Sequence, residues 1–191
     1  MVQLMGSRAQ PADVHPRWLD TREETAWRRF LAMQIELRRL LGRELQRQTG
    51  VSEPDYIVLV QLSEAPGGRL RPFELGRAAG WEKSRLSHHL TRMEHRGLVE
   101  RQNCPSDSRG AFVALTAAGR SAIEAAAPVH VEHVRRWFVA ALTPDQLETL
   151  TQISDAVLAG LEPAAAECSS EADGEWIDES ESCPTEPGTD A

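Results

Sequence analysis

Behind the run Thr21-Arg-Glu-Glu24, which has the spacing of a capping box, Trp27, Phe30, Leu37, Leu41 and Leu45 recur near one face of a 3.6-residue period. The pattern predicts a helix over 21–48. Leu31, Met33, Ile35 and Leu40 widen the apolar stripe beyond what one neighbour would cover, so the helix is expected to be touched on two sides, as a dimer arm would be. Gly50 closes it. Ser52 can cap a second helix with Tyr56, Leu59, Val60 and either Leu62 or Ser63 facing inward, until Pro66-Gly67-Gly68 stops it.

Arg69-Leu70-Arg71 reads as a very short extended piece, and Pro72 suits the first turn of a helix of about two turns that ends at Gly80. A helix over 82–96 follows, stopped by Gly97. Residues 98–101 and 112–115 alternate as strands do, and the turn-forming run 103–110 between them predicts a β-hairpin with a long polar tip. Thr116 caps a long helical segment in which Pro128 predicts a kink, because proline removes a backbone donor and clashes with the preceding turn. Thr143-Pro144-Asp145-Gln146 starts a last helix, expected to end near Gly160. Two short helices joined by a tight turn and followed at once by a hairpin make a winged helix-turn-helix. The expected fold is mainly α, with a small β-hairpin wing and long N- and C-terminal helices.

Charge changes this picture only after it is divided along the chain. The net charge of −8 argues at first against a nucleic-acid partner, yet the segment from Glu162 to Ala191 holds ten acidic residues and no Lys or Arg. Without that segment 21 basic residues face 19 acidic ones, a net of +2. The segment 162–191 is rich in Ala, Ser, Pro and Gly and is expected to be a disordered acidic tail. Residues 1–20 are expected to be a largely disordered arm. Between them, 21–161 is expected to form one winged-helix domain, with a helix-turn-helix and hairpin part over 52–115 between the long helical parts 21–48 and 116–161. No run approaches the roughly 20 apolar residues of a membrane helix, and nothing resembles a signal peptide, so a cytoplasmic location without membrane contact is expected. Cys104, Cys168 and Cys183 form no CxxC pair and are too few for a disulfide framework.

The helix over 82–96 carries the chemistry. Leu86, Leu90 and Met93 fall on one face, while Ser84, His88, Thr91, Arg92 and His95 lie opposite, with Arg85 at the edge. A core-facing stripe backed by donors is what a major-groove reader needs, since Arg and Ser can address base edges while the helix docks. Residues near the N-terminus of such a helix go deepest, so Ser84, Arg85 and His88 are the leading base-reading candidates, with Ser87 and Arg92 completing the major-groove set. Arg92 also lies, with Lys83 and His95, where phosphates would run, and Arg71 and Arg101 extend that phosphate set, as more weakly do Arg69 and Arg77. On the wing, Arg109 can enter a minor groove and sense its negative potential, and Asp107 is placed to orient a neighbouring Arg. A basic helix face is more often merely solvated; the adjoining hairpin is what favours DNA.

From Thr21 to Leu161 the chain resembles the MarR family of dimeric winged-helix transcriptional regulators. The resemblance is carried by residues 83–99, KSRLSHHLTRMEHRGLV, and then by Asp107-x-Arg109-x-x-x-Val113-x-Leu115-Thr116-x-x-Gly119. The second pattern is the more specific, because it fixes wing tip, returning strand and next helix start together. The resemblance implies a homodimer through the first and the last two helices, so that 21–48 and 116–161 are long N- and C-terminal dimerisation helices and 52–115 is the DNA-binding part, with one recognition helix per half-site of a pseudo-palindromic duplex, Arg109 in the minor groove, and release of DNA when a small-molecule effector binds. The chain departs from the family in having Arg71 and Glu82 where Ser or Thr caps are common. Arg beside a helix N-terminus is electrostatically unfavourable, which suggests that Arg71 meets an external anion, although Pro72 alone could start the helix.

Other signals carry less. His130 and His133 stand three apart on a helix, a zinc-compatible spacing with no further ligand nearby, and a solvated or satisfied pair is the better reading. Trp27, Tyr56, Trp137 and Phe138 read as core rather than as an effector pocket. Cys104 on the wing offers an alternative, a redox-responsive regulator, and a winged-helix module that binds an acidic protein offers another. No nucleophile, phosphate-loop or zinc-hydrolase motif is present, so no enzyme, cofactor or metal is expected.

Overall fold

The computed structural model describes residues 17–104 and 107–172, without the side chains of 103–110 and 163–172. The expectations for residues 1–16 and 173–191 lie outside the described residues. The chain divides into two units at Glu36/Leu37.

Helix α1 spans Thr21–Thr49. Its cap is one residue earlier than expected: Asp20 Oδ1 accepts from the Glu23 amide at 2.8 Å and Glu23 Oε2 from the Asp20 amide at 2.8 Å. Asp20/Glu23 and Thr21/Glu24 have the same spacing, and the charged Asp acceptor takes the cap. In the first unit Trp27, Phe30, Met33 and Ile35 are exposed on this helix, with the Trp27 and Phe30 rings stacked 6.0 Å apart.

In the second unit, α2 (Glu53–Glu64) starts from Ser52, whose hydroxyl accepts from the Asp55 amide at 3.3 Å. Its inward face is Asp55, Val58, Leu59 and Leu62; Ser63 is exposed and Tyr56 and Val60 are half-buried. After a 3-10 turn over Pro66–Gly68 come β1 (Arg69–Leu70), α3 (Pro72–Ala79) and α4 (Lys83–His95). Helix α4 ends in a Schellman turn. Gly97, at φ +68°, donates to Glu94 O at 2.8 Å, and Leu98 donates to Met93 O at 3.0 Å.

Strands β2 (Val99–Cys104) and β3 (Asp107–Leu115) are longer than expected, because residues 103–104 and 107–111, read as loop for their turn-forming side chains, continue the backbone ladder. The sheet order is β1-β3-β2, all antiparallel, with Leu70 opposite Val113 and Val99 opposite Leu115; the register shifts after Asn103, so that Cys104 faces Asp107. Helix α5 (Ala117–Trp137) continues through Pro128 as one helix, capped by Thr116. Helix α6 (Pro144–Ala172) opens with the expected reciprocal bonds between Thr143 and Gln146, 2.9 and 3.3 Å. It does not stop near Gly160. A glycine costs a helix only about 1 kcal/mol, and the alanines at 164–166 favour continuing. The core joins α2, α3, α4, the sheet and α5 through Val58, Leu59, Leu62, Leu75, Leu86, Leu90, Met93, Val113 and Ile123.

Candidate nucleic-acid interface

The helical period of α4 sorts its residues cleanly. Leu86, His89, Leu90 and Met93 are buried, and Lys83, Ser84, Arg85, Ser87, His88, Thr91, Arg92 and His95 are exposed. Every expected major-groove residue, Ser84, Arg85, Ser87, His88 and Arg92, is therefore on the solvent side of one thirteen-residue helix. Two of the cations are held. The Arg85 guanidinium lies 4.5 Å from the centre of the Trp81 ring, and Arg92 Nη2 lies 3.0 Å from His89 Nδ1. No side-chain cap sits at Glu82, so α4 presents its first amides uncapped by its own N-cap residue.

The buried side of α4 contains a polar group that periodicity does not announce. Asp55, 1 % exposed on α2, accepts from Ser52 Oγ at 2.6 Å and from Arg96 Nη1 at 2.9 Å, with Arg96 Nη2 on its other oxygen, a bidentate pair. His89 Nε2 stands 3.0 Å from Asp55 Oδ1, at ion-pair distance but off the line of a good hydrogen bond. Burial pushes the Asp55 carboxyl up; the close approach of His89 and the hydrogen bonds from Arg96 and Ser52 outweigh it and hold the group well below the usual carboxylate range. Asp55 thus fixes Arg96, the residue that ends α4 at its C-terminal cap, to the cap of α2. The one local signal was His89, which falls on the Leu86/Leu90/Met93 stripe where an apolar residue is the norm.

The phosphate candidates divide. Lys83 and His95 are exposed, and Arg101 is half-exposed with its Nε 3.2 Å from Glu94 Oε1. Arg71 corrects the expectation. It is 6 % exposed, its guanidinium 5.1 Å from the Phe112 ring centre, with Arg69 at 4.9 Å from the same ring. The arginine covers the returning strand instead of reaching outward, and α3 starts from Pro72 and from Glu74 Oε2 accepting the Arg71 amide at 2.8 Å. Arg77 is exposed. The side chains of Asp107, Arg109 and Cys104 lie outside the described ones; their backbone belongs to the two wing strands.

The motif residues Thr116 and Gly119 join the wing to α5. Thr116 Oγ1 donates to Gly97 O at 2.6 Å and accepts from the Gly119 amide at 3.0 Å. A Cβ on Gly119 would stand 1.9 Å from Leu98 O, so only glycine fits against the turn that ends α4.

Away from α4, His133 donates from Nδ1 to Val129 O at 2.7 Å and takes the Gln48 amide on Nε2 at 3.3 Å. Its ring packs at a tilt against Trp137, 4.6 Å between centres, and His130 packs at a tilt against Tyr56 at 4.5 Å. Burial and the neighbouring His133 push the His130 pKa down, against a smaller opposite pull from Glu53. Both His133 nitrogens are engaged, and among the described residues no group of three or more His, Cys, Asp or Glu could hold a metal ion. No helix among them is long and apolar enough to cross a membrane.

Residues 49–110 match the MarR family. The structure is similar to Sco3205 of Streptomyces coelicolor, a MarR family transcriptional regulator solved in complex with DNA, at 42 % identity and a TM-score of 0.72 over 76 % of this chain and 92 % of that one. It is similar to AbsC, a MarR family transcriptional regulator of the same organism, at 42 % identity and a TM-score of 0.70 over 81 % of this chain and 99 % of that one. The transcriptional regulator HosA of Escherichia coli O111:H- is 35 % identical over 103 residues, 54 % of this chain and 74 % of HosA.

Proposed function

We propose, from the premise that this chain belongs to the MarR family of DNA-binding transcriptional regulators, that it is a ligand-responsive repressor acting as a homodimer on a pseudo-palindromic operator. The observation that carries the reading is the sorting of α4: Ser84, Arg85, Ser87, His88 and Arg92 face solvent while Leu86, Leu90 and Met93 anchor the helix. Ser84, Arg85 and His88 read base edges, with Ser87 and Arg92 beside them; Lys83, His95 and Arg101 meet phosphates; Asp107 and Arg109 serve the wing in the minor groove. Two recognition helices related by a two-fold axis engage half-sites about 34 Å apart.

Dimerisation through 21–48 and 116–161 is supported by apolar side chains exposed in each unit. They are Trp27, Phe30, Met33 and Ile35 on α1, and Ile153, Val157, Leu158 and Leu161 on α6. Effector response is supported by the ring cluster of Tyr56, His130, His133 and Trp137, which offers aromatic faces and, at His130 Nδ1, a buried polar atom without a hydrogen bond. The test selects duplexes from a randomised library and measures binding against salt. Two chains per duplex, an inverted-repeat consensus and a steep negative slope of log affinity on log salt are expected. A consensus without two-fold symmetry, or equal affinity for an unrelated duplex, overturns the reading.

A further inference from the structure

Both exposed arginines of α4, Arg85 and Arg92, are held by neighbouring rings. Arg92 Nη2 lies 3.0 Å from His89 Nδ1. A guanidinium has donors only, so this contact is a hydrogen bond only when Nδ1 carries no proton. That puts the imidazole proton on Nε2, the nitrogen 3.0 Å from the Asp55 carboxylate. A second proton on the ring would set an N–H against the guanidinium. His89 is 6 % exposed, and its ring meets Trp81 edge to face, 5.2 Å between centres at 85°. Trp81 is itself buried and carries Arg85 on its ring at 4.5 Å. One buried ring therefore touches the supports of both arginines, and Asp55, held by Ser52 and Arg96, backs that ring.

We propose that His89 is a positioning residue of the DNA interface: its bare Nδ1 holds the Arg92 guanidinium and its edge backs Trp81 under Arg85, so both arginines are set before DNA arrives. Long side chains lose rotamer freedom on binding, and fixing them in the free protein removes part of that cost from the specific complex. Non-specific binding needs only charge near phosphates and gains little from fixed rotamers. His89 therefore acts on the ratio of specific to non-specific affinity. This rests on the reading of α4 as the DNA-reading helix.

Two neutral amides separate positioning from mere core support. Asn at position 89 places an acceptor near the place of Nδ1 and keeps Arg92; Gln reaches toward the place of Nε2 and keeps Asp55. The probes are a duplex selected by the parent protein from a randomised library and poly(dI-dC). His89→Asn is expected to keep the affinity ratio within about threefold, whereas His89→Gln lowers it about tenfold with poly(dI-dC) binding unchanged. In an Arg92→Ala background His89→Gln is expected to cost no more than about threefold, the part that comes from the lost ring edge under Trp81 and that His89→Asn shares. The inference is overturned if His89→Asn is the worse of the two, which is what an Asp55-anchoring role requires, or if the His89→Gln and Arg92→Ala losses multiply. Should Arg92→Ala and Arg85→Ala both bind the selected duplex as the parent does, the reading of α4 itself fails, an outcome distinct from a failure at His89 alone.

Discussion

Replacing Asp55 by Asn tests whether the C-terminal end of α4 is fastened to α2 by charge. The substitution keeps shape and an acceptor for Ser52 but removes the carboxylate that takes both Arg96 donors. Breaking a buried ion pair from one side costs about 3–5 kcal/mol when the abandoned charge stays buried. The Arg96 side chain is 46 % exposed and can rehydrate, which brings the cost to or below the lower end of that range, about 2–3 kcal/mol. For a chain of this length that corresponds to a fall in Tm of about 4–12 °C at pH 7. The acid dependence follows from the sign of the shift. The folded carboxyl is held below its ordinary 3.8, so its contribution is complete above that pH and drains as pH falls beneath it. Thermal melts of parent and Asp55→Asn chains at pH 7, 5, 4 and 3 are expected to show a gap that is constant down to about pH 5 and narrows below 4. A gap under 1 °C at pH 7, or one that widens in acid, would refute the reasoning.

Gly119→Ala is expected to destabilise the chain by about 2 kcal/mol or more, read by denaturant melts, because the 1.9 Å approach to Leu98 O exceeds what the helix propensity of alanine, about 1 kcal/mol, can offset. Arg85→Ala is expected to cost about 1–3 kcal/mol on a selected duplex and to relax preference at one base pair, whereas Arg101→Ala weakens all duplexes alike and lowers the salt slope by about one; titrations at several salt concentrations separate the two. Val157→Asp, on an exposed stretch of α6, is expected to shift sedimentation toward monomer and to lose two-fold-symmetric operator binding. Removing 173–191, which carries acid and no base, is expected to raise binding to poly(dI-dC) at low salt and to leave it unchanged at high salt.

What was legible in the sequence is what depends on one stretch of chain at a time. The period of α4, the glycine that stops it and the Thr143 cap each concern neighbours within a turn, where spacing is geometry, and the structure has them where spacing puts them. The misplaced cap at Asp20 shows the limit of such reading, since two adjacent pairs had identical spacing and chemistry decided between them. The wing strands were read too short because a ladder needs backbone amides and no apolar side chain, so the turn-formers of 103–111 concealed it. Arg71 failed for the opposite reason: charge in the sequence says nothing of the aromatic face, 41 residues away at Phe112, that receives it. The Asp55–Arg96 pair is separated equally far and no period could predict it. Yet a trace was present. A histidine on a core stripe has to find polar partners, and an acid in a capping box has spare acceptors. Neither fact locates the other, but both mark positions where burial demands a partner from elsewhere in the fold. At α4 that demand couples the helix proposed to face DNA to the cap of α2, so the proposed interface and the core share one set of hydrogen bonds.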